Sequence, residues 1–199
     1  MIGIVDYGAG NLNSVKKALD FLQKKSLILS HAEEFKDIKK LVLPGVGSFG
    51  HAVGKIKEKG FFEPIKKWIE SDQPFLGICL GMQLLFERSE ESEREEGLSF
   101  FKGFCRRFSQ FKVPQIGWNN IFFDKEAAVL QGIKNKTFFY FNHSYYVVPK
   151  EKQIVLALSH YGNSFPCIVR KGNVWGVQFH PEKSGQNGIK FLKNWEEKC

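Results

Sequence analysis

From residue 1 to residue 89 the chain alternates short apolar runs with stretches of helical periodicity, and this alternation restricts the fold more than any other feature. IGIVD at 2–6 predicts a strand, and a turn through Gly8-Ala9-Gly10 leads into a helix over about 12–24. Further strands are expected near 26–30 and at 40–43. Residues 51–72 carry Phe61, Ile65, Trp68 and Ile69 at helical spacing. QPFLGI (73–78) is an apolar run entered through Pro74, and CLGMQLLFERS continues it as a helix. Strands separated by helices pair in parallel, so the expected architecture is α/β.

The second half reads differently. NNIFF, TFFYFN, SYYVV, IVLAL, CIVRK and VWGVQF are short strand-like runs, read as antiparallel or mixed additions to the sheet and closed by a helix from Gly188 to Lys198. Between the halves, ERSEESEREEG has no apolar face and reads as a solvated helix end and loop. No repeat or low-complexity linker divides the chain. The expectation is one domain over 1–199, with a central mixed, mostly parallel sheet flanked by helices. A chain of 199 residues buries roughly two-thirds of its unfolded surface.

Several function classes fall away. No run of 18 apolar residues is present, so no transmembrane helix and no membrane partner are expected. MIGIVDYGAG lacks the basic start and long apolar stretch of a signal peptide, which makes the cytoplasm the expected compartment. Cys79, Cys105, Cys167 and Cys199 match no zinc spacing, so neither a metal nor a disulfide framework is expected. The net charge of +8 comes from lysines scattered over helix faces, such as Lys16, Lys17, Lys66 and Lys67. With no basic-aromatic recognition motif, that pattern excludes nucleic acid as the expected partner.

KLVLPGVGSFG (40–50) contains a literal G-x-G-x-x-G at Gly45, Gly47 and Gly50. A dinucleotide site needs this loop after the first strand of a βαβ unit, with an acid at the end of the next strand about 20 residues on. Here the loop follows a third strand, and the acids Glu58 and Glu63 fall in a helical stretch. The glycines suit a different role, in which the backbone approaches a small substrate and aims an N–H at developing charge.

PFLGICLGMQ sets Cys79 between Gly77 and Gly81, after an apolar strand and before a helix. That is a cysteine form of the nucleophile elbow, in which a sharp strand-to-helix turn lifts the side chain above the sheet. The helix N-terminus favours a thiolate, and the N–H of Leu80 is placed to donate to an oxyanion. At the far end, VWGVQFHPEKSG reads as a strand from Val174 to Phe179, followed by His180, Pro181 and Glu182. In an extended segment His180 and Glu182 share a face, so the carboxylate orients the imidazole while the other ring nitrogen meets the thiol.

GICLGMQ together with QFHPEKS resembles the class I, triad-type glutamine amidotransferases. MIGIVDYGAGNLNSV, LPGVGSFG, VPQIGWNNI and YFNHSYY, with Met82 after the elbow, narrow the resemblance to the glutaminase subunits of imidazole glycerol phosphate synthase, from residue 1 to the C-terminal helix. It implies a flavodoxin-like fold, Cys79 as nucleophile, His180 as general base and acid, and Glu182 as the orienting residue. It also implies a pocket for L-glutamine at Gly45, Val46, Gly47, Leu80, Gln83, His143, Ser144 and Tyr145. Tyr7, Asn11, Trp118, Asn119 and Lys183 are implied to face the partner, a separate (β/α)8 cyclase/synthase subunit joined as a heterodimer. No cofactor is implied. The chain departs from the subfamily pattern at Gln115, Ile116 and Asn142.

Two further readings of the resemblance stay open at this level. One is a paralogous glutaminase that feeds ammonia to a different synthase, such as a sugar-amidinating system. The other is a non-catalytic subunit that keeps the fold, against which the intact Cys79, His180 and Glu182 speak.

Overall fold

The structure, a computed structural model, describes residues 1–92, 94–124 and 126–199. In the main sheet five strands run parallel: β1 (Ile2–Val5), β2 (Ser26–Leu29), β3 (Lys40–Gly45), β4 (Phe75–Cys79) and, from the far end of the chain, β12 (Val174–Val177). Their spatial order is β12-β4-β3-β1-β2, and antiparallel β11 (Asn163–Lys171) and β10 (Val155–Tyr161) extend the sheet beyond β12. The expected mixed, mostly parallel sheet is therefore present. The inner strands are apolar at nearly every position because both of their faces are buried. Along β3, Val42 joins the core on one face while Leu41 and Leu43 join the core on the other. Leu76 and Ile78 of β4 oppose Phe75 in the same way.

Helices cover both faces. α1 (Leu12–Phe21) contributes Val15, Ala18 and Leu19, and α5 (Gly185–Lys198) contributes Phe191, Leu192 and Trp195 to the first core. α2 (Phe49–Glu58) and α3 (Phe62–Glu70) supply Phe49, Ala52, Val53, Ile56, Ile65 and Ile69 to the second. The helix expected over 51–72 is two helices. Gly60 adopts φ +71°, its N–H donates to Lys57 O, and the Phe61 N–H donates to Ile56 O. This Schellman termination satisfies the last carbonyls of α2, and glycine adopts the left-handed position without steric cost.

Two expectations fail for tertiary reasons. The helix after Cys79 is the four-residue α4 (Leu80–Gln83); Leu84 and Leu85 turn, and β5 (Phe86–Ser89) follows. The returning chain takes the carbonyls that would have continued the helix: the Leu98 N–H donates to Leu84 O and the Phe101 N–H to Leu85 O. The acidic run after it is thus a strand and turn rather than a helix end, with Glu93 outside the described residues. Its carboxylates are used. Glu87 accepts from the Gly103 N–H, Glu90 from the Arg107 N–H, and Glu91 from the Phe49 N–H at the start of α2.

The other difference concerns the second half. β5, β6 (Phe101–Arg107) and β9 (Tyr145–Pro149) form a three-stranded sheet, and β7 (Gln115–Asn120) pairs with β8 (Phe138–His143) in another. Neither extends the main sheet. The strand expected in NNIFF lies earlier, at Gln115–Asn120, and β6 has no counterpart among the expected strands. Ser144 is the one residue between β8 and β9, so the chain passes from one small sheet to the other there.

Candidate active site

The site lies at the carboxyl ends of β3, β4 and β12, where ligands sit in open parallel sheets. Register sets it up: Gly45 is opposite Cys79, and Val177 is opposite Ile78. Cys79 has φ 54° and ψ −108°, a costly conformation for a residue with a β-carbon. Its neighbours show why they are glycines. A β-carbon on Gly77 would stand 2.5 Å from Gly81 O, and one on Gly81 would stand 1.8 Å from Leu43 O. The elbow folds back on β3 and β4 so closely that only glycine fits.

Gly45 serves the same packing, since a β-carbon there would be 2.8 Å from Leu80 Cβ. Gly47 differs: it has open space but φ +96°. The third glycine of the loop, Gly50, makes room for Ser92, 2.4 Å from its notional β-carbon. The G-x-G-x-x-G spacing is therefore assembled from three separate packing and turn requirements.

The sheet end carries His180. Its φ of −99° and ψ of 95° are extended, but Pro181–Lys183 form a single 3-10 turn, not the extended segment expected. The turn is closed by the Lys183 N–H donating to His180 O, and Pro181 suits its first position because no N–H is needed there. It brings Glu182 back so that Nδ1 of His180 lies 2.9 Å from Oε1. The Glu182 side chain is 1% exposed. Burial works against the charged imidazole, but Cys79 and then Glu182 outweigh it and raise the His180 pKa to about 10. Nε2 of His180 is buried, and its interaction with Cys79 is part of what raises that pKa.

A cavity of about 200 Å³ opens beside Cys79. Val46, Gly47, Leu80, Gln83, His143, Ser144 and Tyr145 line it, whereas Gly45 is not part of the lining and packs against Leu80 of the elbow. His143 donates from Nδ1 to Tyr145 O at 2.8 Å; burial foremost, and then the proximity of His180, lower its pKa to about 4, so the ring is neutral. Gln83 donates to the same Tyr145 carbonyl at 2.8 Å. With α4 only four residues long, the helix-dipole contribution expected at Cys79 is small, while the N–H of Leu80 still lacks an intrahelical partner. Among the described residues no group of His, Cys, Asp and Glu could hold a metal ion.

The residues expected at a partner surface separate. Trp118 is 57% exposed, and strand alternation with the β7–β8 register sets Ile116, Trp118, Phe138, Tyr140 and Asn142 on one face. Lys183 reaches over the Tyr140 ring at 6.0 Å, and Trp118 meets that ring edge-on. Asn119 points otherwise, donating to His160 O, and Asn11 is half-buried at the head of α1. Tyr7 is fully buried, with its hydroxyl 2.8 Å from where a Gly45 β-carbon would be, so it supports the loop from inside instead of presenting a surface.

Pro114, Glu91, Asn142 and Gln178 lie outside the site residues expected from the sequence. Glu91 lines the cavity, but nothing distinguishes it from the neighbouring acids by pattern. The Asn142 carbonyl accepts from Cys79 Sγ at 3.6 Å; being backbone, it leaves no trace in the residue type. Gln178 does leave a trace, as a buried polar residue directly after a buried apolar strand.

Comparison with known proteins bears on the family and the fold. The family described as glutamine amidotransferase class-I matches residues 3–198. "Imidazole glycerol phosphate synthase subunit HisH" of Caldanaerobacter subterraneus subsp. tengcongensis is 49% identical, over the full length of both chains. A protein of the same name from Methanocaldococcus jannaschii is 46% identical over 99% of each chain. In fold, the chain is similar to a crystal structure of a glutamine amidotransferase (TM-score 0.77, 20% identity, 98% of each chain). It is also similar to a chain of PurLQS from Thermotoga maritima (TM-score 0.79, 19% identity, 98% of this chain and 97% of that one). A family match spanning almost every residue, on a sheet whose ends carry Cys79 and His180, places this chain in the class I glutamine amidotransferases.

Proposed function

We propose that the chain is the glutaminase subunit of an imidazole glycerol phosphate synthase, working in histidine biosynthesis in the cytoplasm. The observation that carries this reading is full-length identity of 44–49% to relatives bearing that name. The assignment of roles rests on the position of Cys79 at the elbow and on the His180–Glu182 pair.

Glutamine enters the cavity with its carboxamide above Cys79, and the Glu91 carboxylate at the wall suits its ammonium group. The Cys79 thiolate attacks the carboxamide carbon, and N–H groups of Leu80 and the Gly45–Gly47 loop receive the oxyanion. Imidazolium His180 protonates the leaving nitrogen; the C–N bond breaks and ammonia departs, leaving the thioester. Neutral His180 then takes a proton from water, hydroxide displaces the sulfur, and glutamate leaves with the thiolate restored. Glu182 holds the ring in the tautomer that serves both steps. No cofactor enters this half-reaction.

The exposed Ile116, Trp118 and Phe138, continuous with Lys183 beside His180, form the face for a (β/α)8 synthase subunit. Ammonia passes across it to the partner, which makes imidazole glycerol phosphate and the aminoimidazole carboxamide nucleotide. A second reading, a paralogous glutaminase serving another synthase, draws on Ile116 and Asn142, which depart from the subfamily pattern on this same face. Co-purification with the candidate barrel subunit, followed by glutaminase assay with and without its nucleotide substrate, tests the two. Stimulation by the imidazole-pathway nucleotide is expected, with loss of several orders of magnitude in Cys79→Ala. Stimulation only by a different synthase and its substrate favours the second reading.

A further inference from the structure

Gln178 has no exposed surface, and a buried primary amide needs partners at both its nitrogen and its oxygen. Its Nε2 donates to Cys79 Sγ at 3.7 Å, and its Oε1 accepts from Gln83 Nε2 at 3.1 Å. This orientation follows from a third group. The Tyr145 carbonyl can only accept, so Gln83 must turn Nε2 toward it. That same nitrogen faces Gln178, which must then present Oε1, leaving Nε2 directed at the sulfur. Turning either amide over would set donor against donor or acceptor against acceptor.

We infer that Gln178 is a further catalytic residue, whose amide N–H stabilises the Cys79 thiolate, and that Gln83 and the Tyr145 carbonyl are positioning groups that aim it. The inference rests on the reading of Cys79 as the nucleophile. As a thiol, Sγ donates to the Asn142 carbonyl and accepts from Gln178. Once the proton passes to His180, the carbonyl faces a negative sulfur and the contact becomes repulsive. The Gln178 contact moves the other way, since a hydrogen bond to an ion is about twice as strong as a neutral one. Between the Asn142 carbonyl and the Gln178 amide, the amide is therefore the one that favours the ionised form, alongside His180.

The Tyr145 carbonyl also receives the His143 N–H, and Gln83, His143 and Tyr145 all line the cavity. The wall expected to hold glutamine and the attacking sulfur thus belong to one continuous set of hydrogen bonds. Gln83, placed by the resemblance among substrate-binding residues, has its amide nitrogen already committed on both sides.

The test is the pH dependence of Cys79 alkylation by iodoacetamide, read by mass spectrometry on the Cys79 peptide so that the other three thiols do not contribute. His180 with Glu182 behind it, Tyr7, and the cavity residues His143 and Glu91 are the titratable groups around the sulfur, and all stay unchanged in the variants. In Gln178→Met the alkylation inflection should rise by about one to two pH units. Partner-activated kcat at neutral pH should fall about ten- to hundredfold, with KM within about twofold. Gln83→Met leaves the Gln178 amide unaimed and should shift the inflection upward by less. An unmoved or lowered inflection in folded Gln178→Met overturns the inference. Should that variant not fold, an unmoved inflection in Gln83→Met does the same. Alkylation needs no glutamine turnover, so absence of glutaminase activity would count against the proposed function and be read separately.

Discussion

Gly45 sits directly opposite Cys79 in the β3–β4 ladder. One hydrogen-bonded register thereby sets the glycine loop beside Cys79, although α2 and α3 intervene along the chain. The loop need not be guided there by its own sequence; parallel pairing of two buried strands carries it.

The tightest point of that arrangement is Gly81. A β-carbon there would lie 1.8 Å from Leu43 O, and backbone on both sides leaves no flexible side chain to yield. Gly81→Ala should destabilise the fold by at least about 1–3 kcal/mol and displace α4 from β3. Gly54→Ala is the control: its notional β-carbon meets nothing and it lies within α2, so the same substitution should be neutral or stabilising. Thermal unfolding of the two variants makes the comparison.

Glu182→Gln keeps the shape of the His180 partner and removes its charge. Two contributions that raise the imidazole pKa come from Glu182, so the pKa should fall and the imidazolium should give way at lower pH. The tautomer would also no longer be dictated by an acceptor. Glutaminase kcat should fall about 10²–10⁴-fold with the fold intact, a loss seen in a pH–rate profile whose basic limb moves down.

His143 gives an acid limb to stability. Its folded-state pKa, about 4, lies below the ordinary 6.5, chiefly through burial. The unfolded chain therefore binds this proton first, and stability should fall as pH drops from about 6.5 to about 4 and level off below. The contribution is up to about 3 kcal/mol. His143→Gln, which can still donate to the Tyr145 carbonyl, should flatten this limb in denaturant titrations.

Trp118→Ala separates folding from association. With 57% of the residue exposed, its loss should change the stability of the isolated chain by no more than about 0.5 kcal/mol. If the β7–β8 face receives the synthase subunit, affinity should drop by about 2 kcal/mol or more, measured by calorimetry. Unchanged affinity would move the docking face elsewhere.

Much of the site is legible in the residues themselves. Gly77, Cys79 and Gly81 announce the elbow because a strained backbone excludes β-carbons from its neighbours, and His180-Pro181-Glu182 is a local unit whose members meet within one turn. The residues that escape such a reading are those whose part depends on distant chain. Glu91 resembles its neighbours until the Phe49 N–H and the cavity select it. Tyr7 lies in the opening stretch that carries the resemblance, yet packs inward under the loop.

The same division holds for the fold. Apolar runs alternating with helical periodicity determined the parallel sheet, its helices and the positions of Cys79 at the elbow and of the His180–Glu182 pair along the chain, because strand burial and elbow sterics are local demands on residue type. Where α4 stops, which strands leave the main sheet for small ones of their own, and which way the Gln83 and Gln178 amides turn were decided only by tertiary structure. Each of these depends on a hydrogen-bonding group from a remote segment, such as the Leu98 N–H that ends the helix or the Tyr145 carbonyl that orients two glutamines. Backbone donors and acceptors are the same in nearly every residue type, so their pairing is not written in the side chains.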